Sequence, residues 1–243
     1  MKILIAILSH HGSSERLKAC LGTWVKNCHA HDLVILGDDK MPDRISGIEI
    51  HKPLVDEKYT DLPKKIKTSF EYLLMKEWDY LIKIDDDAYL NTTNLLKFLK
   101  NNTKPNLYAG QGIYFPSDKH PCYLSNIGDV LPPKSFKYYY AQGGCYIISR
   151  LALQNSIDKM KTLSPFNAED VMVGIAMHES NIKLEDRPDL FNCGFKGKGW
   201  HNMGTRKNTD KENIHLIKSG YISAHKLDSS LIIKTHNTLK ESN

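Results

Sequence analysis

The sequence predicts an α/β fold whose first half contains a parallel sheet. Short apolar runs alternate with segments of helical periodicity, and each run ends in polar residues or glycine. Of the 243 residues, 41% are hydrophobic and 25% are charged. This composition is typical of a globular protein and excludes collagen-like, low-complexity and largely disordered proteins. We expect one domain over residues 1–243.

Strands are predicted where β-branched and other apolar residues cluster. They cover residues 2–8, 32–36, 80–84, 108–115 and 138–148, with a weaker run at 45–50. Helices are predicted over residues 15–27 (with Ser13 or Ser14 as N-cap), 64–76, 151–160 and 169–179. Because strands and helices alternate from the start of the chain, the first strands should pair in parallel.

A long loop is predicted over residues 192–213, which are rich in Gly, Lys and Asn and show little periodicity. Loops of this length are often lids or binding loops. Trp200, His201 and the basic residues 196–198 would then either close over a ligand or remain solvated.

Charge and cysteine content restrict the partners and the compartment. A net charge of +5 favours an anionic ligand but is too small for a dedicated nucleic-acid binder. The first apolar run, residues 3–8, is shorter than a signal-peptide core of about 7–15 residues or a membrane span of about 20. The five cysteines form no CxxC pair, which indicates free thiols and no zinc site. We therefore expect a cytoplasmic protein that is not secreted and has no membrane span.

The triplet Asp85, Asp86 and Asp87 is the most informative feature. It directly follows the strand predicted at 80–84, and α/β proteins bind ligands at the carboxyl ends of strands. Adjacent carboxylates repel one another, and a divalent cation would compensate their charge. Mg²⁺ or Mn²⁺ held by carboxylates and phosphate oxygens is the arrangement expected for a nucleotide diphosphate. Alternatively, the triplet is a solvated turn that caps a helix beginning near Thr92.

Three further motifs follow in the second half of the chain. Gly143 and Gly144 enter an apolar strand, where they would permit positive φ and close approach of a ligand, or would form a β-bulge. Glu169 and Asp170 begin a helix, where acidic residues also complement the helix dipole. His225 follows an apolar triplet and is either a ligand or a structural histidine.

Taken in order, these residues resemble the Fringe and β-1,3-galactosyl/N-acetylglucosaminyltransferase family of inverting enzymes. The resemblance extends over about residues 3–227. It is carried by Ser9, RLKACLGTW at 16–24, LG at 36–37, YTDL at 59–62 with Lys65 and Lys67, KIDDDAYL at 83–90, GGCYIIS at 143–149, EDVMVG at 169–174 and ISAH at 222–225. It implies a single GT-A domain, a Rossmann-like nucleotide-diphospho-sugar transferase with a mixed central sheet. The N-terminal half would bind the nucleotide and the C-terminal half the acceptor.

The activity that the resemblance implies is metal-dependent transfer of a hexose or N-acetylhexosamine from a UDP-sugar to a glycan hydroxyl, with a β-1,3 linkage. Asp87 and His225 would be the metal ligands. Asp85 would lie nearer the ribose or act through water, and Asp86 would belong to the donor site. The metal would bridge the two phosphates of UDP, and imidazole beside carboxylate favours Mn²⁺ over Mg²⁺.

The resemblance also implies a general base and a donor pocket. Asp170 would take the proton of the acceptor hydroxyl, since inversion needs a carboxylate on the face opposite the leaving UDP. Glu169 would contact the donor sugar or the acceptor. Gly143 and Gly144 would line the sugar pocket, and Ser9, Arg16 and Asp38 are candidate nucleotide contacts. Arg16 could instead be structural, packing near Trp24 or pairing with an acid.

Two departures from the family bear on the type of protein. Eukaryotic members usually carry a membrane anchor and luminal disulfides, whereas this sequence favours a compact bacterial or viral relative. Cys145 stands where the family often has glycine or alanine. The acceptor would be an oligosaccharide, either free, lipid-linked or on a glycoprotein. The alternatives are another GT-A transferase, of the retaining or capsule and lipopolysaccharide type, and a non-catalytic carbohydrate- or nucleotide-binding protein.

Overall fold

A mixed sheet of eight strands lies at the centre of the fold. The computed structural model describes residues 1–28, 31–55, 61–115, 138–162, 168–194 and 208–241. The strands are β1 (Ile3–Leu8), β2 (Asp32–Leu36), β3 (Arg44–Ile45), β4 (Ile48–His51), β5 (Tyr80–Asp85), β6 (Ala88–Leu90), β7 (Tyr108–Phe115), β8 (Tyr138–Ser149), β9 (Glu185–Asp186), β10 (Phe191–Asn192) and β11 (Ser223–His225). The helices are α1 (Ser14–Gly22), α2 (Leu62–Leu74), α3 (Thr92–Asn101), α4 (Arg150–Thr162), α5 (Glu169–Glu179), α6 (Asp210–Lys218) and α7 (Ser229–Lys240).

The order of strands in the large sheet is β3-β4-β2-β1-β5-β8-β7-β9. Strands β4, β2, β1 and β5 are parallel, as the alternation of strands and helices predicts. Strand β8 then runs antiparallel to both β5 and β7, which makes the sheet mixed. A small second sheet, β10-β11-β6, carries the residues that follow the aspartate triplet. The predicted α/β fold with a mixed central sheet is confirmed.

Each face of the sheet packs against its own set of helices. Successive side chains of β1 alternate between the faces: Ile5 and Ile7 lie in one buried cluster, and Leu4 and Ala6 lie in the other. The first cluster includes apolar residues of α1, α3, α6 and α7, and the second includes those of α2, α4 and α5. Because both faces of the sheet are covered, every residue of β1 is apolar.

Several predicted boundaries are wrong for local reasons. The helix predicted to reach Asn27 ends at Gly22 and is followed by a 3₁₀ turn over Trp24–Asn27. The weak strand at 45–50 is a hairpin of β3 and β4, because Ser46 and Gly47 have φ of 52° and 80°. Ser13 occupies the N-cap position of α1, but its side chain makes no capping hydrogen bond.

The loop predicted at 192–213 is shorter at its carboxyl end, because α6 begins at Asp210. Thr209 and Glu212 form a capping box there, a signal that is visible in the sequence. Trp200, His201 and residues 196–198 lie outside the described residues. Cys20, Cys28, Cys145 and Cys193 are buried and form no disulfide, whereas Cys122 also lies outside the described part. Among the helices that the structure describes, none combines the length and the hydropathy that a membrane span requires.

Helix α5 lies very close to β8, and Gly174 makes this approach possible. A Cβ on Gly174 would lie 2.3 Å from the Cβ of Tyr140. We expect Gly174→Ala to lower the free energy of unfolding by about 2 kcal/mol through overpacking. Gly22→Ala is the matched control, since a Cβ there meets no atom within 4 Å at the end of a helix. It should stabilise the protein by about 0.5 kcal/mol. Urea denaturation of both variants measures the difference, and equal unfolding midpoints would contradict this packing argument.

Candidate active site

A buried lysine connects three separate elements at the centre of the site. Lys83 lies on β5, and its side chain is 1% exposed. Its Nζ donates hydrogen bonds to Asp85 Oδ1 at 2.7 Å, to Glu169 Oε1 at 2.7 Å and to the carbonyl oxygen of Gly143 at 2.6 Å. A buried ammonium is stable only when it is paired and hydrogen-bonded, so this lysine holds β5, β8 and α5 in one arrangement.

The two acidic residues at the start of α5 have different surroundings. Glu169 is buried, accepts from Lys83, and also accepts from the Tyr146 hydroxyl at 3.0 Å. Burial raises the pKa of Glu169 to about 7, although Lys83 opposes the shift. Asp170 is partly exposed and accepts from the backbone N–H groups of Gly143 at 3.1 Å and Val171 at 2.9 Å. Burial raises the pKa of Asp170 as well. Only Asp170 presents a carboxylate that is free of side-chain hydrogen bonds from the described residues.

Gly143 and Gly144 allow β8 to approach these side chains. A Cβ on Gly143 would lie 2.9 Å from Glu169 Oε1, and a Cβ on Gly144 would lie 2.2 Å from His225 Nδ1. Neither glycine has a positive φ, so the expectation of a left-handed backbone is wrong and the requirement is for space. The pairing of β7 with β8 also shifts register here, since Gly110 pairs with Tyr146 but Gly112 pairs with Ala141. The pair therefore combines close approach with a strand irregularity.

Asp85, Asp87 and His225 come together at the ends of β5 and β11. His225 Nε2 lies 2.8 Å from Asp87 Oδ1 and 3.5 Å from Asp85 Oδ2. Burial would raise the pKa values of both carboxyl groups, but Lys83 and His225 hold that of Asp85 well below its usual range, and His225 lowers that of Asp87. The carboxylates in turn raise the pKa of His225, although burial opposes this.

This group is suited to a divalent cation. One ligand atom from each of Asp85, Asp87 and His225 lies within 4.8 Å of the others. His225 Nε2 is buried without a well-formed hydrogen bond to any described residue. The other ring nitrogen, Nδ1, lies 3.2 Å from Gln142 Nε2, which orients the ring. Two carboxylates and an imidazole form a donor set that binds Mn²⁺ well. The alternative that the triplet caps α3 is wrong, because Asn91 accepts from Asn94 N–H as the N-cap.

Asp86 points away from this group and organises the loop after β1. Its carboxylate accepts hydrogen bonds from Ser9 Oγ at 2.7 Å and from Ser13 Oγ, and it lies 3.0 Å from Arg16 Nε. Burial raises the pKa of Asp86, although Ser13, Ser9 and Arg16 oppose the shift. Arg16 thus pairs with an acid, as one of the two interpretations predicts, while 39% of its side chain is exposed.

A cleft of about 410 Å³ opens between these residues. It is lined by Leu8, Ser9, His10, Arg16, Leu62, Lys65, Asp85, Asp86, Asp87 and Lys226. Lys65 is buried and donates to the carbonyl oxygen of Ser9 at 3.1 Å. The predicted residues Ser9, Arg16 and the aspartate triplet therefore meet in one cleft.

Asp38 does not line this cleft. It is fully buried and accepts hydrogen bonds from the backbone N–H groups of His11 at 2.7 Å and Lys40 at 3.0 Å. His11 Nδ1 lies 2.9 Å from the same carboxylate. Asp38 thus positions the loop after β1, and its assignment as a nucleotide contact stays a prediction.

Sequence reasoning missed four side chains that shape the site: Lys83, Tyr146, Ser13 and Gln142. A signal for Lys83 exists, since Lys83 and Asp85 are two apart on one strand and so face the same side. A lysine inside an apolar strand also requires a charged partner. No local pattern predicts the contacts of Tyr146 with Glu169, of Ser13 with Asp86 or of Gln142 with His225. In each of these pairs the two residues are distant in sequence.

Comparisons with known proteins agree with this geometry. A family model described as Galactosyltransferase matches residues 52–188. The human UDP-GalNAc:beta-1,3-N-acetylgalactosaminyltransferase 1 is 30% identical over 122 residues, which are 46% of this chain and 35% of that protein. Beta-1,3-galactosyltransferase brn of Drosophila melanogaster is 24% identical over 78% of this chain and 63% of its own length. The chain thus spans between about a third and two thirds of these relatives.

A solved structure extends the comparison to nearly the whole fold. It is a glycosyltransferase involved in the glycosylation of the major capsid of PBCV-1. The two structures superpose with a TM-score of 0.53 at 14% identity, covering 98% of this chain and 100% of the other. At this identity the similarity concerns the fold, a GT-A-like arrangement of a mixed sheet with helices.

Glu169 predicts a specific pH dependence of stability. Its pKa of about 7 in the folded protein exceeds the ordinary value of 4.5, so folding is favoured at low pH and this contribution is lost as the pH rises towards 7. Between pH 5 and pH 7.5 the loss should be about 2 kcal/mol. Urea denaturation at both pH values should show this slope in the wild type and a smaller slope in Glu169→Gln. Parallel slopes would contradict the assignment.

Proposed function

Because the chain belongs to the galactosyltransferase family and is a glycosyltransferase, we propose that it transfers a hexose or N-acetylhexosamine from a UDP-sugar to a glycan hydroxyl. The reaction proceeds with inversion and forms a β-1,3 linkage, the linkage in the names of its relatives. The observation that carries this proposal is the grouping of Asp85 and Asp87, which line the cleft, with His225, which does not. Gly143 and Gly144 lie next to each other on β8, the first against Glu169 and Asp170 of α5 and the second against His225. The donors are UDP-galactose, UDP-N-acetylgalactosamine or UDP-N-acetylglucosamine.

The donor diphosphate binds beside Asp85 and Asp87. These two residues and His225 would hold Mn²⁺ or Mg²⁺, and the bound cation would neutralise the charge that develops on UDP as it leaves. Arg16, Lys65 and Lys226 add positive charge along the cleft. Ser9 and Asp86 position Arg16 and the loop after β1 around the nucleotide. Gly143 and Gly144 would line the sugar pocket, and the lack of side chains there lets Glu169 and His225 pack directly against β8.

Asp170 is the general base of this proposal. Its carboxylate is partly exposed and is oriented by the N–H groups of Gly143 and Val171. A raised pKa makes a carboxylate a better proton acceptor near neutral pH. Both carboxylate oxygens of Glu169 already accept hydrogen bonds, from Lys83 and from Tyr146, which supports Asp170 and not Glu169 as the base. Lys83 is therefore a positioning residue, and Glu169 would contact the donor sugar or the acceptor from the position that Lys83 and Tyr146 give it.

The protein is also proposed to be a compact Fringe-like enzyme of the bacterial or viral type, working as one domain in a cytoplasm. Among the described residues, four buried cysteines form no disulfide, which supports a reducing compartment. Contacts between the two halves of the chain support a single domain, since β5 pairs with β8 and β6 pairs with β11. The acceptor is an oligosaccharide that is free, lipid-linked or attached to a protein.

Loss of a metal ligand should abolish turnover and leave the fold intact. We expect Asp87→Ala and His225→Ala to reduce metal-dependent UDP release by more than about 100-fold, because cation stabilisation of a leaving diphosphate contributes several kcal/mol. Asp39→Ala, an exposed aspartate outside the cleft lining, is the control. The assay uses the three donors with Mn²⁺, Mg²⁺ or a chelator, and thermal denaturation checks the fold. Full activity with chelator would refute metal dependence.

Replacement of the base should separate catalysis from donor binding. Asp170→Asn should lower kcat by about 10²–10⁴-fold, since it removes the proton acceptor, while calorimetry shows unchanged UDP-sugar affinity. Glu169→Gln should retain substantially more activity, because Glu169 is not the base in this proposal. NMR of the product identifies the anomer. A retained anomeric configuration would favour the retaining GT-A alternative and contradict Asp170 as base.

A further inference from the structure

A second cavity lies on another part of the molecule and shares no lining residue with the cleft. It has a volume of about 480 Å³ and is bordered by β6, the start of α3, the end of α6, and α7. Lys97, Lys218 and Lys240 line it, and none of its lining residues is Asp or Glu. None of these three lysines forms an ion pair with the described residues. The cavity is therefore positively charged without internal compensation.

The amino end of α3 presents backbone N–H groups to this cavity. Asn91 caps the helix by accepting from Asn94 N–H, but the N–H groups of Thr92 and Thr93 have no acceptor among the described residues. Both threonines line the cavity. The first N–H groups of a ten-residue helix carry the positive end of its dipole and bind anions.

His236 supplies a further donor from inside the protein. It lines the cavity, is 3% exposed, and its Nδ1 lies 3.0 Å from the Tyr89 hydroxyl. That hydroxyl has no other acceptor in the described part of the chain, and its donation to Nδ1 would place the ring proton on Nε2. His236 Nε2 is buried and has no hydrogen-bond partner there. Burial lowers the pKa of His236, which keeps the ring neutral with its N–H available.

We propose that this cavity binds a phosphate group, either of a small phosphorylated molecule or of a lipid headgroup. A phosphate has several acceptor oxygens and two negative charges, and so matches a cavity with three cations, free helix N–H groups and a buried imidazole N–H. Neutral or cationic ligands would leave the lysines uncompensated. The site is independent of the proposed donor cleft.

The test is titration of the full chain with inorganic phosphate, observed by ¹⁵N NMR of the His236 side chain and by calorimetry. We expect saturable binding that shifts the Nε2 signal. Lys218→Met should weaken the affinity by about tenfold, because it removes one hydrogen bond from a charged donor to the phosphate. Thr92→Pro removes one N–H at a helix position that tolerates proline and should also weaken binding.

Lys183→Met is the control, since this exposed lysine does not line the cavity and should leave the affinity unchanged. His236 distinguishes the cavity from the cleft, because phosphate bound only beside Arg16 would not shift its signal. Phosphatidylcholine vesicles with and without phosphatidic acid distinguish the two sources of phosphate. Binding of phosphatidic acid vesicles that depends on Lys218 supports a headgroup ligand. The proposal is overturned if neither probe binds, or if Lys218→Met and Lys183→Met behave alike.

Discussion

The buried ammonium of Lys83 is the interaction on which the site depends. An unpaired charge at this depth would be strongly destabilising, so every group around it is arranged to satisfy it. Its Nζ donates hydrogen bonds to the carboxylates of Glu169 and Asp85 and to the carbonyl oxygen of Gly143. Because these partners come from α5, β5 and β8, one side chain determines where three elements meet. Asp170, next to Glu169, is the acid of this pair that stays partly exposed.

The aspartate triplet is best understood as three residues with separate partners. Repulsion between adjacent carboxylates is relieved by Lys83 at Asp85, by Ser9 and Arg16 at Asp86, and by His225 at Asp87. Asp86 and Asp87 lie in the turn between β5 and β6, where Asp86 faces Ser9 and Arg16 while Asp87 faces His225. One short segment therefore organises the loop after β1 and the proposed cation group together.

The matched region of the family model contains the triplet, the glycine pair and the start of α5, but ends before His225 and begins after Arg16. The remaining residues reach the site by parallel pairing of β1 with β5 and by antiparallel pairing of β11 with β6. Close approach between β8 and His225 is possible only without a side chain at Gly144. The site is thus completed by segments near both ends of the chain, held by sheet geometry.

The sequence alone determined the α/β class, the parallel order of the first strands and most element positions, since these depend on local periodicity and on burial of both sheet faces. It also identified the triplet, the glycine pair and the acidic pair, because unusual residues at the ends of apolar runs are visible locally. Tertiary structure decided that the Glu169 carboxylate is buried and hydrogen-bonded to Lys83 and Tyr146, while the Asp170 carboxylate is partly exposed. It also decided that Asp38 binds the backbone of the loop after β1, that Ser13 donates to Asp86 and that Gln142 lies beside His225. Those outcomes depend on contacts between residues that are mostly far apart in sequence, and no local pattern encodes which partner a buried polar group will find.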